Sequence, residues 1–334
     1  MNRHMNNRMV VVAMVTALAG MAHMARADYY AMVLGQTTDR PGHQDAFSAD
    51  AGAVAAALQG GHWVGYNRPG HTEVLRGGAA HFDTFTAGLG RLNTKMAGDN
   101  DAHLLMYFSG HSGKVPPGHG GAGEVVPPAL DGLDEFSVLF EQLNVAPERR
   151  RANGFQDDTL HATMRAFVPR AAHFLFIMDT CYAGGYWGGG DEGDLEKLAS
   201  VGLIASAREN QKSPLTSLLT PKLVDVLKAG AANMTAAALY DKIKYEDKCH
   251  GKRRDDIPLS WVDANDPLFA HYPSNPEFND FDEVIAEPGT PLSSFYAEQG
   301  LGGTEFFVKV VPEPASCLLL LGGLVGCVLR RGRA

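Results

Sequence analysis

The chain has 334 residues, 45% of them hydrophobic, with a formal net charge of −9 and a pI near 5.8. That length and apolar content suit one globular domain of about 240 residues plus appendages. The acidic balance, with no basic stripe interleaved with aromatics, argues against nucleic acid as a partner.

At the N-terminus, Arg3 and Arg8 precede an apolar stretch, Met9–Ala22, which Ala25-Arg26-Ala27 follows. This is the form of a secretory signal peptide cut after Ala27. The alternative is an uncleaved anchor, but the stretch falls short of the roughly 20 residues a span needs. Tyr29–Leu34 predicts a first strand, and a polar loop with Pro41 and Gly42 follows. Alanine-rich Ala49–Leu58 predicts a helix with Asp50 in its first turn, where an acid suits the helix dipole. Gly60-Gly61 ends it. Thr72–Leu75 predicts a weak second strand. Ala79–Met96 predicts a second helix, with Phe82, Phe85, Leu89 and Leu92 near helical spacing.

Leu104–Phe108 is a run of five bulky residues that turns abruptly into Ser109-Gly110-His111-Ser112-Gly113. Lys114–Gly123 is rich in Pro and Gly and predicts a loop. Asp157–Phe167 predicts a helix with Leu160, Met164 and Phe167 on one face. Phe174–Met178 then repeats the earlier pattern: five apolar residues, as a strand buried on both faces requires, followed by Asp179-Thr180-Cys181-Tyr182-Ala183-Gly184-Gly185. His111 and Cys181 each lie three residues past their apolar runs. If the two strands are parallel neighbours, both residues emerge at the carboxyl edge of the sheet, where open α/β sheets bind ligands. The 69 residues between them allow a crossover helix and a loop. A thiol needs such a neighbour, because the thiolate is the nucleophile and a free Cys has a pKa of roughly 8.5. An adjacent His can take the proton and return it to a leaving amine. The other reading of Cys181 is a small buried hydrophobe.

Tyr186–Glu196 predicts a Gly-rich acidic loop, Val201–Ser206 a strand, and Leu215–Leu227 and Met234–Tyr245 two helices. Pro273–Pro291 reads as loop or linker. Glu305–Val310 is either a late strand or part of a stalk. Strands alternating with helices imply a three-layer α/β domain with a mostly parallel sheet. The sequence lacks a complete Gly-x-Ser-x-Gly elbow, a phosphate loop and a His-Glu-x-x-His pair. His103, His111 and His119, spaced at eight, match no metal pattern and read as loop histidines. Asp191, Glu192, Asp194 and Glu196 have carboxylates that suit calcium, but without EF-hand spacing they read as a solvated charge run. Outside the C-terminal tail, the cysteines are Cys181 and Cys249. A secreted domain could pair them, but a nucleophilic Cys181 requires both to stay reduced.

Tyr107-Phe108-Ser109-Gly110-His111-Ser112-Gly113 resembles the histidine motif of caspase-like peptidases, and Asp179-Thr180-Cys181-Tyr182-Ala183-Gly184 resembles their cysteine motif, in its metacaspase and orthocaspase form. The resemblance spans residues 28–272, and Asp131–Phe140 resembles the acidic, then hydrophobic segment after the histidine loop. It implies the caspase–haemoglobinase fold and a cysteine endopeptidase in which Cys181 attacks the peptide carbonyl and His111 handles the proton. Backbone N–H groups near Ser112 and at Cys181 would hold the oxyanion. It also implies a pocket of Asp50, Ser109 and Asp179 that takes Arg or Lys. A pocket for Asp would need arginines, which neither motif contains. The bland reading of Asp50 remains a helix-start acid. No cofactor is implied, although some metacaspases need calcium. Such enzymes often process a loop after the cysteine strand, here Tyr186–Ser200 with Lys197. Ser112 stands where the family has Gly, and Ala183 where it has Ser. These departures sustain the alternative of an inactive caspase-like surface or matrix-interaction module.

Finally, Val311-Pro312-Glu313-Pro314-Ala315-Ser316 precedes uncharged Cys317–Leu329, and Arg330, Arg331 and Arg333 follow. The positive-inside rule keeps those arginines cytoplasmic. This tripartite end resembles the PEP-CTERM sorting signal that exosortases recognise in Gram-negative bacteria. It implies export, temporary anchoring and cleavage near the Pro-Glu-Pro; the alternative is a plain anchor helix. The expected organisation is a signal peptide at 1–27, a peptidase domain at 28–272, a stalk at 273–311 and a sorting tail at 312–334. The expected partners are a polypeptide substrate and an exosortase-type enzyme.

Overall fold

The computed structural model describes residues 27–38, 46–99, 101–115, 134–138, 140–141, 154–167, 171–187, 195–208, 211, 213, 217–247 and 292–310. Met9–Ala22, Cys249, Pro273–Pro291 and the tail from Val311 lie outside them. Among the described residues no helix is long and apolar enough to cross a membrane.

In chain order the main elements are β1 (Tyr29–Gly35), α1 (Ala46–Gln59), β2 (Thr72–Arg76), α2 (Phe82–Lys95), β3 (Ala102–Ser109), β4 (Ser112–Val115), β5 (Asp134–Val138), β6 (Gly154–Gln156), α3 (Asp157–Arg165), β7 (Ala171–Asp179), β8 (Val201–Ala205), α4 (Leu219–Ala229), α5 (Ala236–Ile243) and β9 (Phe295–Gln299). Six strands form the central sheet in the order β9-β8-β7-β3-β1-β2. All neighbours are parallel except β9, which runs antiparallel to β8 at one edge. β4, β5 and β6 form a small antiparallel sheet of their own.

The apolar runs are continuous because both faces of the sheet are covered. Tyr30, Met32 and Leu34 of β1 pack with Phe85 and Leu89 of α2 and with Leu160 and Met164 of α3. The alternate residues, Tyr29, Ala31 and Val33, pack on the other side with Val54 and Leu58 of α1, Leu223 and Leu227 of α4, and Leu239 of α5. Helices on both faces of a mostly parallel sheet make this a three-layer α/β domain. α1 sits very close to the end of β1. A Cβ on Gly35 would fall 2.5 Å from the Phe47 carbonyl oxygen and 2.7 Å from the Ala51 Cβ. Only glycine allows that approach, and the approach sets where Asp50 lies.

Several expectations change. α1 begins at Ala46, so Asp50 is its fifth residue and the first turn holds no acid; the dipole account of Asp50 therefore fails. Lys114 belongs to β4 rather than a loop, and Met234-Thr235 form a short strand before α5. The expected stalk, 273–311, is corrected over residues 292–310. β9 completes the central sheet, and Glu305–Phe307 pairs with Met234-Thr235. The sequence hid this because each partner lies far away along the chain. Phe306 and Phe307 are fully buried, the Phe307 ring meets Trp63 edge-on at 5.5 Å, and the Tyr66 hydroxyl donates to the Phe306 carbonyl at 2.9 Å.

This packing generates a test. Phe307→Ala should lower unfolding stability by about 3–5 kcal/mol in urea, the cost of truncating a buried ring. A stalk residue would leave stability unchanged.

Candidate active site

β3 and β7 pair in parallel register, with Phe108 opposite Met178 and Ser109 opposite Asp179. Both strands end at the same edge, so Gly110-His111 and Thr180-Cys181 leave the sheet side by side. The Gly110 N–H donates to the Asp179 carbonyl at 3.3 Å, and the Gln36 N–H donates to the Ser109 carbonyl at 2.9 Å. The Gln36 side-chain oxygen accepts from the His111 backbone N–H. Gly110 has no room for a side chain: a Cβ would fall 2.6 Å from the Phe108 ring and 2.7 Å from the Gln36 side chain.

His111, Cys181, Ser109 and Asp179 line one small cavity open to solvent, which Phe47 also borders. The Phe47 ring meets the His111 imidazole edge-on at 4.9 Å. His111 and Cys181 are both half-buried, so a substrate can reach them. The Cys181 thiol donates to the Ser213 carbonyl at 3.6 Å. The next residue, Tyr182, has φ 55°, a left-handed backbone that costs a non-glycine residue roughly 1–2 kcal/mol. The turn is held from outside: Tyr182 N–H donates to the Gln211 carbonyl at 2.8 Å, and Thr180 N–H to the Ser206 hydroxyl at 3.0 Å. Strain of this kind persists where surrounding bonds over-determine the backbone.

The two departures from the motifs have visible packing. The Thr180 hydroxyl donates to the Ser112 hydroxyl at 2.7 Å, so Ser112 ties the histidine turn to the cysteine turn. Ala183 is fully buried in the apolar layer that α2 and α3 cover, where a methyl group needs no partner.

Asp179 is 4% exposed. One of its carboxylate oxygens accepts from the Thr220 N–H at 3.1 Å and from the hydroxyls of Ser217 and Thr220. It thereby satisfies an orphan donor in the first turn of α4. Burial pushes its carboxyl up, against the pull of those donors. Asp50 accepts from the Ser109 hydroxyl at 3.2 Å. Burial, then the Asp179 charge, push the Asp50 carboxyl up to about 6, with the Ser109 bond opposing. The Asp179 charge thus adds to the cost of ionising Asp50 beside one cavity, and a cation between them would relieve it.

The structure therefore brings His111, Cys181, Ser109 and Asp179 to one cavity, with Asp50 one hydrogen bond behind. The sequence reading missed Gln36, Phe47, Ser217 and Thr220. Gln36 was findable, since it follows β1 as Gly110 follows β3. His103 is no loop residue: it sits on β3 and is 5% exposed. His119, Asp191, Glu192 and Asp194 lie outside the described residues. Glu196 pairs with Lys197 at 3.4 Å. Lys197 lies between buried Leu195 and Leu198, so cutting beside it requires that turn to open.

No protein-family model matches this chain, and no curated protein matches it. The crystal structure of protein GSU0716 from Geobacter sulfurreducens is similar over 86% of this chain and 96% of that one, at 17% identity and a TM-score of 0.45. A likeness that distant carries no argument about activity.

The Asp50 carboxyl provides a pH test. Its folded value, about 6, lies above the unfolded value of about 3.9. The folded state then holds the proton more tightly, so the carboxyl costs nothing below about pH 4, increasingly more from pH 4 to 6, and the full amount above. Asp50→Asn should stabilise the fold at about pH 7.5 by on the order of 1 kcal/mol after discounting for solvent screening, and not at about pH 4. Equal effects in urea unfolding at both pH values would contradict this assignment.

Proposed function

We propose that the protein is a cysteine endopeptidase that cuts after Arg or Lys. The observation that carries this reading is the shared cavity of His111 and Cys181 at the carboxyl edge of adjacent parallel strands. In this mechanism His111 takes the Cys181 proton, and the thiolate attacks the peptide carbonyl carbon. The resulting oxyanion is held by backbone N–H groups near Ser112 and at Cys181. The tetrahedral intermediate collapses as His111 returns the proton to the leaving amine, leaving a thioester that water hydrolyses. Asp179 and Asp50 supply the negative charge for the cationic side chain before the cut, and Ser109 a hydroxyl. The caspase-like resemblance of the two motifs supports these roles. The terminal segments add the proposal that the enzyme is exported from a Gram-negative cell and handed to an exosortase-type partner. No cofactor is part of the proposal.

The other reading, an inactive interaction module, rests on Ser112 and Ala183. Their packing gives it little support, because Ser112 braces the two turns and Ala183 fills core.

The test is kcat/KM on matched peptides ending in Arg, Lys or Asp before the scissile bond. Arg and Lys peptides should be cut and Asp peptides spared. Cys181→Ala and His111→Ala should each lower the rate by at least about 10³-fold. Asp179→Asn, which keeps an acceptor for α4, should cost Arg peptides at least about 100-fold. A preference for Asp, or a Cys181→Ala chain as active as wild type, would overturn the proposal.

A further inference from the structure

The two strands that carry His111 and Cys181 are built alike over their whole length. Ala102-His103 opens one run and Ala172-His173 the other, each histidine eight residues before the reactive one. The register places His103 opposite His173. At about 3.3 Å per residue, this pair lies about 26 Å from the cavity, at the opposite edge of the sheet.

Asp101 joins the pair. His173 Nε2 lies 3.3 Å from Asp101 Oδ1, and His103 Nε2 lies 3.8 Å from the same oxygen. One ligand atom from each of the three residues lies within 4.8 Å of the others. The opposite ring nitrogens are already committed. His103 Nδ1 is 2.9 Å from the Glu305 carbonyl oxygen, which can only accept, so Nδ1 carries the hydrogen. His173 Nδ1 is 2.7 Å from the Ser200 hydroxyl. That hydroxyl donates to the Gly300 carbonyl at 3.2 Å, so it accepts from His173. With Nδ1 as the donor on each ring, both Nε2 atoms are left to face Asp101, and His173 Nε2 lies within hydrogen-bond distance of that carboxylate at 3.3 Å. Three potential ligand atoms, two imidazole nitrogens and one carboxylate oxygen, thus converge on one point.

We infer that Asp101, His103 and His173 form a binding site for a divalent transition metal of the Zn²⁺ class. Imidazole nitrogens with one carboxylate suit that class, whereas Ca²⁺ and Mg²⁺ require mostly oxygen. Ligand atoms about 2.1 Å from a tetrahedral Zn²⁺ stand about 3.4 Å apart, close to the 3.3 and 3.8 Å that separate the two imidazole nitrogens from the Asp101 oxygen. Bonds from Nδ1 to a carbonyl and a hydroxyl are the outer-shell partners that orient metal-binding histidines. Asp101 is exposed, which leaves the fourth position to water. Through the Glu305 carbonyl, the ion would clamp the late strand Glu305–Phe307 against the start of β3. This inference does not depend on the reading of the cavity.

The test is ZnCl₂ titrated calorimetrically into the full chain carrying Cys181→Ala, so that the cavity thiol cannot compete. One Zn²⁺ site should appear, and saturating Zn²⁺ should raise the melting temperature. His173→Gln and the exposed Asp101→Asn should each weaken that site at least about tenfold and abolish the melting shift, with circular dichroism unchanged. Cys249→Ala should leave both intact. Absence of a Zn²⁺ site, or a site that survives both substitutions, would overturn the inference.

Discussion

The parallel, in-register pairing of His103–Ser109 with His173–Asp179 is the constraint on which the rest depends. Side chains alternate across a strand, so slipping the pair by one residue would move a whole apolar set to the wrong face. Burial on both faces therefore locks the register. The same lock fixes what emerges at the two edges: the His111 and Cys181 turns at one, His103 and His173 at the other. Neither constellation is made by a local motif alone.

At the carboxyl edge, the buried acids show how one group can serve the fold and a site together. Asp179 ends an apolar strand at a cost that burial imposes, and Ser217 and Thr220 offset it by donating to one of its oxygens. That arrangement ties the first turn of the Leu219–Ala229 helix to the cysteine strand. It also fixes a charge beside the cavity, and that charge in turn raises the Asp50 carboxyl. Asp50 reaches its place only because glycine at position 35 lets its helix approach the first strand. The backbone after Cys181 is similarly held rather than relaxed, since Tyr182 keeps a left-handed φ.

The middle of the sheet was legible because doubly covered strands must be apolar along their length, as Leu104–Phe108 and Phe174–Met178 are. That His111 and Cys181 leave adjacent strands at one edge was legible for the same reason, each lying at a fixed offset from its run. The late strands were not, because Phe295–Gln299 and Glu305–Phe307 find partners distant in the chain and too short to announce themselves. Thr220 was invisible because nothing local marks it as a donor to Asp179. Asp50 was placed in a first turn because the alanine-rich pattern gave no sign of a start at Ala46. The second edge has a signal in the sequence, since Ala-His opens both runs, but only the register shows that the two histidines face each other.

The central claim is that the fold brings His111 to Cys181 so that the thiol reacts as a thiolate. The most direct measurement is the pH dependence of Cys181 alkylation by iodoacetamide, followed by mass spectrometry of the Cys181 peptide, in wild type and His111→Ala. The account predicts a titration well below the ordinary thiol value of about 8.5 in wild type, returning toward about 8.5 in the variant. Identical profiles, both near the ordinary value, would contradict it.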